Sequence, residues 1–520
     1  MKTKLYISIL AVLIMFFGCT KDYTDMNVNP NNPEPAAVDP AMLLTYTLKH
    51  GGIGNADLHQ RIHNIMVDTW AEYMIDLPDH WYTDNYGFGG ELAWLNQYWN
   101  EFYTWINEVN LLIRENKDKP DLKNQIEIAR IWKVHMFLQA TDLFGDIPYF
   151  KAADGSGIPP KYDSQDSIYI GMFNELKDAV DGLDGSLLVG SLSIQDIIFK
   201  GDVAKWKKYG NSLRLRLAMR ITEANSALAK TNAEEAIAGG VLTESDPDVG
   251  VPPLTLRWGD TYPIPMYVGW GETEMTQGFY NLLEGLGGIS DTVYKAGSGD
   301  PRGKIYFSPK GGYLKSVAMG LSTDSVKPID EPVNNSQPNT VTFTPSRNMC
   351  VMPVSEVLFN EAEAALKGWN VGGKTAQQLY EAGITYSLTQ WGVSIADIAT
   401  YIASTAPNAK GTSVAWNDNI TGAHNSQLEK IITQKYIAGF PDNGFEAWAD
   451  HRRLLMPFLP SPILVDESWG VTQWVSGEPT FANYIERVPY PSNEVLNDAA
   501  NYALVKAKDK ITIPEWFTGR

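Results

Sequence analysis

The sequence predicts a mainly α-helical protein that carries a loop-rich elaboration with a few short strands. Apolar residues occupy almost every side of segment 126–144, which indicates a helix that packs against neighbours on several faces. Segment 250–341 is instead rich in glycine, proline and tyrosine and has little helical periodicity, which indicates loops and short strands. With two cysteines in 520 residues, a packed core must stabilise this fold without a disulfide framework.

The helix of segment 126–144 ends in a tight turn with the sequence Phe-Gly-Asp-Ile-Pro. Gly145 follows the last helical turn, where glycine is favoured because it adopts left-handed backbone angles at little cost. Pro148 comes two residues after Asp146 and prevents the helix from restarting. The chain is therefore predicted to contain a buried helix that stops at this turn.

Helical spacing recurs in five later segments, 163–182, 201–221, 352–368, 375–390 and 431–453. In the second of these, Arg216 and Arg220 share one face at i,i+4. Arginines on an otherwise apolar helix usually join neighbouring helices through carboxylates and carbonyls, so that role is predicted here, with ligand binding as the alternative. In the last segment, Glu446, Asp450 and Arg453 are spaced for a local charge network on one helix.

The amino terminus has the pattern of a lipoprotein signal peptide followed by a flexible tether. Residues 1–18 contain two lysines and then an apolar run that is too short for a comfortable membrane span. Cys19 follows directly, which predicts cleavage before an acylated cysteine; the alternative is an ordinary signal peptide with an incidental cysteine. Residues 19–40 are rich in asparagine and proline and have almost no aliphatic bulk, so they are predicted to form a flexible tether.

The formal net charge of −19 limits the partners of the protein. Removal of Lys2 and Lys4 with the signal peptide lowers the charge by two, to −21. Nucleic acid and anionic lipid headgroups would be repelled by so acidic a surface. We therefore expect no nucleic-acid partner, and we expect the lipid on Cys19 to provide the membrane contact.

Aromatic residues are concentrated between positions 70 and 105, where twelve of 36 residues are aromatic. Most of those after position 93 fall at helical spacing and are predicted to lie in the core. Others lie among turn-forming residues in two loops, where rings beside polar side chains suit a sugar, because its apolar face stacks on a ring while its hydroxyls meet the polar groups. The alternative is that these rings pin their loops to the body. The predicted ligand-binding residues are Trp81, Tyr82, Tyr86, Tyr267 and Trp270.

The sequence gives no reason to expect a metal, a cofactor or catalysis. His59 and His63 lie at i,i+4, a spacing that can bind one metal, but Gln60 stands where the zinc-protease signature has glutamate. Two histidines on a helix surface are therefore predicted instead. No nucleophile-elbow, phosphate-loop or dinucleotide motif occurs, although 61 acidic residues leave a carboxylate pair of the glycosidase kind open.

Several segments of the chain carry motifs of one known family. They are the F-G-D-x-P turn with its helix, the N-P-N-N-P tail at 29–33, the N-S-L-R-L-R-L-A-M-R helix at 211–220, segments 352–368 and 431–453, the D-P-R triplet at 300–302 and R-V-P-Y-P-S-N-E at 487–494. In these segments the chain resembles the SusD/RagB family, the surface lipoproteins of Bacteroidetes nutrient-uptake systems. Lys21 and Asp22 after Cys19 also resemble the export signal of surface lipoproteins in that phylum.

The resemblance implies a SusD-like helical scaffold with tetratricopeptide-like helix pairs. It implies a signal peptide at 1–18, a lipidated cysteine and tether at 19–40, and a single domain at 41–520. Within that domain we expect a helical scaffold at about 41–249 and 350–456, a loop-rich, ligand-side elaboration at about 250–349, and a carboxyl-terminal segment at 457–520.

The resemblance also implies a function without catalysis. The protein would be anchored in the outer membrane, facing the cell exterior, and would pass a nutrient to a SusC-like TonB-dependent transporter. The aromatic inventory favours a glycan or oligosaccharide as that nutrient. A peptide is the alternative ligand, and a surface adhesin or a glycoside hydrolase are further alternatives.

Overall fold

The computed structural model describes residues 40–51, 56–76, 81–156, 159–187, 190–253, 261–271, 273–321, 334–418 and 420–520. The predicted signal peptide, the predicted lipidation site at Cys19 and the tether up to residue 39 lie outside the described residues.

Helices form most of the described chain, as the sequence predicts. The α-helices are α1 (Pro40–His50), α2 (Glu91–Asn116), α3 (Lys123–Phe144), α4 (Gln165–Gly182), α5 (Leu192–Gln195), α6 (Val203–Arg220), α7 (Ser226–Gly239), α8 (Ile264–Trp270), α9 (Gln277–Leu283), α10 (Gly303–Tyr306), α11 (Val354–Leu366), α12 (Ala376–Gln390), α13 (Ile395–Ile402), α14 (Gln427–Gly439), α15 (Gly444–Leu454), α16 (Ser492–Asn497) and α17 (Ala499–Val505). A helical turn, Ala56–Leu58, leads into a π-helix, His59–Asp68.

Short elements connect these helices. The 3₁₀ helices are Tyr82–Asn85, Pro120–Leu122, Leu286–Gly288, Glu467–Trp469, Phe481–Asn483, Lys506–Lys508 and Trp516–Thr518. The strands are β1 (Met74–Ile75), β2 (Val249–Val251), β3 (Glu274–Met275) and β4 (Met349–Met352). In the described residues they form two small antiparallel sheets, in which β1 pairs with β3 and β2 pairs with β4.

Successive helices pack against each other in pairs. Contacts join α2 to α3, α3 to α4, α6 to α7 and α11 to α12. Local capping fixes where several of these helices begin: Asp202 accepts a hydrogen bond from the backbone of Lys205 at α6, and Thr375 and Gln378 form a capping box at α12. The prediction of a mainly helical scaffold with paired helices and a few short strands is confirmed.

The central helix α3 is buried along most of its length and ends where the sequence predicts. Gly145 has φ of 76° and is the residue that follows the helix. A Cβ at this position would collide with the Glu515 carboxylate, so both the backbone angle and the packing require glycine.

The turn after α3 is hydrogen-bonded to the R-V-P-Y-P segment, more than 340 residues away in sequence. The Tyr490 hydroxyl donates to the carbonyl oxygen of Asp146 at 2.7 Å, and the Val488 amide donates to the carbonyl oxygen of Leu143 at 3.0 Å. Arg487 donates to the carbonyl oxygen of Phe144. These contacts satisfy helix-end carbonyls that a buried turn would otherwise leave unpaired. The two motifs therefore form one structural unit.

Buried ion pairs hold α6 against three neighbouring helices. Arg216 donates to both carboxylate oxygens of Glu356 at 2.6 and 2.7 Å, and Arg220 pairs with Asp142 and Glu446. The predicted structural role of the two arginines is therefore confirmed. Glu446 of α15 pairs with Arg220 of α6, so the charge network that was predicted to be local to α15 extends to other helices.

On α15 itself, Arg453 contacts Asp450 at 3.0 Å, as predicted, and it also contacts Glu363 on α11 at 2.6 Å. The network is therefore wider than one helix, because buried charges need partners on every side that water would otherwise solvate. No helix in the described part of the chain is both long enough and apolar enough to cross a membrane.

Candidate ligand-binding face

The two predicted aromatic loops lie at the same end of the β1–β3 ladder. Ile75 pairs with Glu274 in antiparallel register. The residues that follow Ile75 and those that precede Glu274 therefore leave the ladder together. Trp81 and Tyr82 follow the first strand, and Trp270 precedes the second.

Trp81 is fixed between the end of this ladder and the start of α2. Its indole N–H donates to the Asp76 carboxylate at 2.9 Å. Its ring meets the Trp94 ring edge-to-face, with centroids 4.7 Å apart. The Arg61 guanidinium lies 5.8 Å from the Trp94 ring centroid, so a cation also borders this pair. Both Trp81 and Trp94 are partly exposed.

Tyr82 presents the most exposed ring among the predicted ligand residues, with 56% of its surface accessible. It begins the 3₁₀ helix Tyr82–Asn85, and its backbone N–H donates to the buried Glu91 carboxylate at 2.8 Å. A Cβ at Gly89 would lie 2.8 Å from two carbons of the Tyr82 ring, which is closer than real Cβ atoms approach. Glycine at position 89 therefore gives the ring room to lie across the loop.

Tyr86 lies in the core instead of on the surface. Its φ of 63° places it in the left-handed region, and only 1% of its surface is exposed. Burial raises the pKa of its hydroxyl well above the ordinary value. Tyr86 therefore anchors its loop and offers no ring surface to a ligand, as in the alternative stated for the aromatic loops.

Trp270 and Tyr267 lie on a short helix, α8, although the sequence predicts a loop there. Pro263 lies at the N-cap position before the helix, Ile264 and Tyr267 bury one face, and Gly271 follows the helix with φ of 83°. Trp270 is 44% exposed, whereas Tyr267 is fully buried and its hydroxyl lies 2.9 Å from His59 Nδ1.

The start of the π-helix joins both aromatic segments. His59 contacts Tyr267, and Arg61, two residues later, contacts Trp94. The Tyr267 and Trp270 rings are 5.9 Å apart. Two series of contacts therefore meet at the start of the π-helix, one through Trp94 and Arg61 and the other through Tyr267 and His59. We call Trp81, Tyr82, Trp94 and Trp270 the aromatic face.

His59 and His63 stack on each other instead of lying on a helix surface as predicted. Their ring centroids are 4.5 Å apart. Burial lowers the pKa of His63 to about 4 and that of His59 well below its ordinary value, so both imidazoles are neutral at pH 7. The described residues contain no group of three or more side chains that could hold a metal ion.

A titratable carboxylate, that of Asp84, lies on the same 3₁₀ helix as the exposed Tyr82. Burial raises the pKa of Asp84 to about 7, although backbone N–H groups of Gly320 and Asn85 donate to the carboxylate and oppose this shift. Asp84 therefore changes protonation near neutral pH and links the Tyr82 loop to the loop that contains Gly320.

A carboxyl-terminal loop that the sequence does not connect to this site borders it. The Asp466 amide donates to the carbonyl oxygen of Asn85 at 2.8 Å, and the exposed residues Ile463 and Leu464 hydrogen-bond to the backbone of Met319 and Gly320. No local signal could identify these neighbours. Trp94 is partly exposed near the start of α2, but its helical spacing in the sequence had assigned it to the core.

The aromatic face combines exposed rings with nearby hydrogen-bonding groups. Of the five predicted ligand residues, Trp81, Tyr82 and Trp270 have accessible rings on segments that leave the same end of the β1–β3 ladder, while Tyr86 and Tyr267 are buried. Rings of this kind bind apolar faces of a ligand, and the polar groups orient it. Ligand binding by these residues stays a prediction.

Comparison with known proteins identifies the family. The family model described as SusD-like, Susd and RagB outer membrane lipoprotein, matches residues 43–516. No match was found among curated proteins. A solved structure of a SusD homologue from Parabacteroides distasonis is 30% identical, with a TM-score of 0.83 over 92% of this chain and 98% of that one.

Two further solved structures are similar over the same extent. A SusD homologue from Bacteroides vulgatus is 26% identical with a TM-score of 0.77, covering 92% of this chain and 97% of that one. A chitin-binding SusD homologue from Flavobacterium johnsoniae is 28% identical with a TM-score of 0.77, covering 92% and 98%. The chain belongs to the SusD-like family of outer membrane lipoproteins.

Proposed function

We propose that this protein is a non-catalytic surface lipoprotein that captures a neutral glycan on the aromatic face and passes it to a SusC-like TonB-dependent transporter. In this proposal a lipid on Cys19 anchors the protein in the outer membrane, and the aromatic face is exposed to the cell exterior. Family membership supports the proposal, and the geometry of the aromatic face carries it.

The observation that carries the proposal is the exposure of Tyr82 and Trp270 beside the same strand ladder. An exposed apolar patch beside polar groups marks an interaction site, and here the Glu91 carboxylate accepts from the Tyr82 backbone while Gly271 ends the helix that carries Trp270. Trp81 and Trp94 extend the ring surface between the ladder and α2.

A neutral glycan fits this surface better than an anionic ligand. Aromatic rings stack on the apolar faces of sugars, while a net charge of −19 disfavours ligands that carry negative charge. A chitin-binding homologue among the similar structures supports the same ligand class. A peptide is the alternative outcome of the binding test below.

Calorimetric titration of the purified protein with neutral oligosaccharides of chitin, starch and xylan tests the glycan proposal. We expect one probe class to bind, and we expect Tyr82→Ala and Trp270→Ala each to lower its affinity about tenfold, equivalent to ~1.4 kcal/mol. Phe150→Ala is the matched control, because Phe150 is 53% exposed and lies outside the aromatic face. Binding of a peptide mixture but of no oligosaccharide would replace the glycan by a peptide.

Affinity purification of the lipoprotein from gently solubilised outer membranes tests the transporter proposal. A TonB-dependent barrel recovered in equal amount is the expected result. Recovery of the lipoprotein alone, under conditions that preserve such complexes, would contradict delivery to a transporter and would favour an adhesin. The Cys19→Ser variant should be lost from the membrane fraction if the lipid is the anchor.

A further inference from the structure

A second groove lies on the scaffold, between α2 and α16. Its volume is about 600 Å³, within the range of small-molecule binding sites. Residues of α2 form one wall, α16 contributes the opposite wall, and prolines from the connection between α3 and α4 lie at one side. The lining includes Trp99, Asn100, Tyr103, Asn107, Pro159, Glu494, Asn497 and Asp498.

Three amide side chains in this groove have no hydrogen-bonding partner in the described part of the protein. Asn100 and Asn107 lie on α2, and Asn497 lies on α16, so the amides come from both walls. All three residues are exposed. Each amide offers two N–H donors and a carbonyl acceptor, the combination that pairs with a hydroxyl group acting as acceptor and donor at once.

The apolar part of the groove is fixed in position. The Tyr103 hydroxyl donates to the carbonyl oxygen of Pro148 at 2.9 Å, which holds a partly exposed ring at the groove wall. Trp99 stacks on Tyr162, and the Tyr162 hydroxyl donates to Glu494 at 2.7 Å. Pro159 adds a further exposed apolar ring. A ligand would therefore meet a wall that needs little rearrangement.

The charges of the groove select against anions. Glu494 and Asp498 lie in the lining, and the described lining contains no lysine or arginine. The Asp498 carboxylate accepts hydrogen bonds from Asn501 at 3.0 Å. A phosphate, a sulfated sugar or a uronic acid would be repelled by the two carboxylates. A neutral, hydroxyl-rich ligand would meet no such penalty.

The groove is distinct from the aromatic face. Trp94 and Asn100 lie on the same helix, but six residues of α-helix rotate the side chain by about 120° around the axis. The lining of the groove includes no residue of the aromatic face.

We propose that this groove is a second binding site, for a segment of neutral oligosaccharide. The partnerless amides on both walls and the fixed tyrosine ring carry the proposal. It rests on the proposed glycan function, and it assigns a second contact to the same class of ligand. A long glycan could then be held at two points, which raises its overall affinity through effective concentration.

The test uses the full mature lipoprotein and two readouts. Calorimetry with chitohexaose, maltoheptaose and xylohexaose gives the number of sites, and hydrogen exchange with the bound probe reports protection of segment 99–107. We expect the Asn100→Ala/Asn107→Ala variant to weaken one class of sites about tenfold and to remove that protection. Asn174→Ala is the matched control, because Asn174 is another exposed helical amide without a described partner.

The outcomes separate this proposal from the proposed function. Suppose that Tyr82→Ala and Trp270→Ala abolish binding, that segment 99–107 gains no protection and that the groove variant has no effect. This result would overturn the groove site and leave the glycan function intact. Failure of all probes to bind would overturn both. If the groove variant no longer co-purifies the barrel but binds glycan as wild type does, the groove contacts the transporter. This result would overturn the oligosaccharide assignment.

Discussion

Asp450 in the scaffold and Asp84 at the aromatic face are both buried carboxylates, but their surroundings differ. Although burial opposes it, Lys435 and Arg453 hold the pKa of Asp450 well below its ordinary value, at distances of 2.9 and 3.0 Å. Asp84 receives hydrogen bonds from backbone amides, and burial raises its pKa to about 7. Asp450 is therefore paired and ionised at neutral pH, whereas Asp84 is near its titration point.

The different surroundings of Asp450 and Asp84 show what stabilises each region. The scaffold depends on long side chains that reach between helices, and its sequence motifs contain residues of those ion pairs. The face depends on backbone turns and on small residues that make room for rings. Each of the following variants should affect one region and leave the other close to wild type.

The largest effect is expected for Arg453→Leu. The Arg453 side chain is fully buried between Glu363 and Asp450, so its loss leaves two buried carboxylates with fewer partners. We expect the free energy of unfolding to fall by about 3–5 kcal/mol, measured by chemical denaturation. Arg114→Leu, in an exposed pair with Glu115, should change it by less than about 0.5 kcal/mol. Equal effects of the two variants would contradict a structural role for the buried pair.

A pH-dependent effect is expected for Asp84→Asn. Because the pKa of Asp84 is raised in the folded protein, the folded state binds this proton near pH 7, while the unfolded state binds it near pH 4. This group therefore increases the free energy of unfolding as the pH falls from 8 to 5, by about 3 kcal/mol, and the contribution is lost as the pH rises through 7.

Denaturation of wild type and Asp84→Asn at pH 5 and pH 8 measures that contribution. The amide cannot titrate, so the variant should lack about 3 kcal/mol of the wild-type difference between the two pH values. The variant Asp450→Asn provides the contrast, because the pKa of Asp450 is lowered in the folded protein and the group should add no pH dependence to the free energy of unfolding in this range. An unchanged pH dependence in Asp84→Asn would show that Asp84 does not titrate near neutral pH.

The scaffold could be predicted in outline from local sequence, but its long-range partners could not. Apolar spacing and Gly145 predicted α3 and its end, and the i,i+4 arginines predicted a joining role. That Arg216 meets Glu356, 140 residues later, depends on how the helices pack. Such pairing carries no local signal in a single sequence.

The aromatic face could be predicted only in part. Composition identified the aromatic loops, but the pairing of Ile75 with Glu274, which brings them together, joins segments about 200 residues apart. Tyr86 has the same polar neighbours as Tyr82, yet its left-handed backbone turns it into the core. Ring burial therefore depended on backbone geometry that turn-forming residues suggest but do not determine.

A local effect at the face is expected for Gly89→Ala. The new Cβ would lie 2.8 Å from the Tyr82 ring, so the ring must move. We expect the affinity for the bound oligosaccharide to fall about tenfold, or ~1.4 kcal/mol, with little change in stability. Gly90→Ala is a matched control, because nothing lies within 4 Å of its Cβ. Equal affinities for the two variants would exclude Tyr82 from the binding surface.

The smallest effect is expected for Trp81→Phe. This variant removes the hydrogen bond of Trp81 but keeps an aromatic ring at the position. The phenyl ring can still pack on Trp94, but the indole N–H that donates to Asp76 at 2.9 Å is lost. We expect the free energy of unfolding to fall by about 0.5–1.5 kcal/mol, because Asp76 is buried and loses a hydrogen-bond donor. Trp474→Phe removes an indole hydrogen bond to Gly477 at an exposed position, where water replaces the lost partner, and it should have almost no effect. If both variants matched wild type, the Asp76 contact would contribute nothing to holding the aromatic face, and ring packing alone would position Trp81.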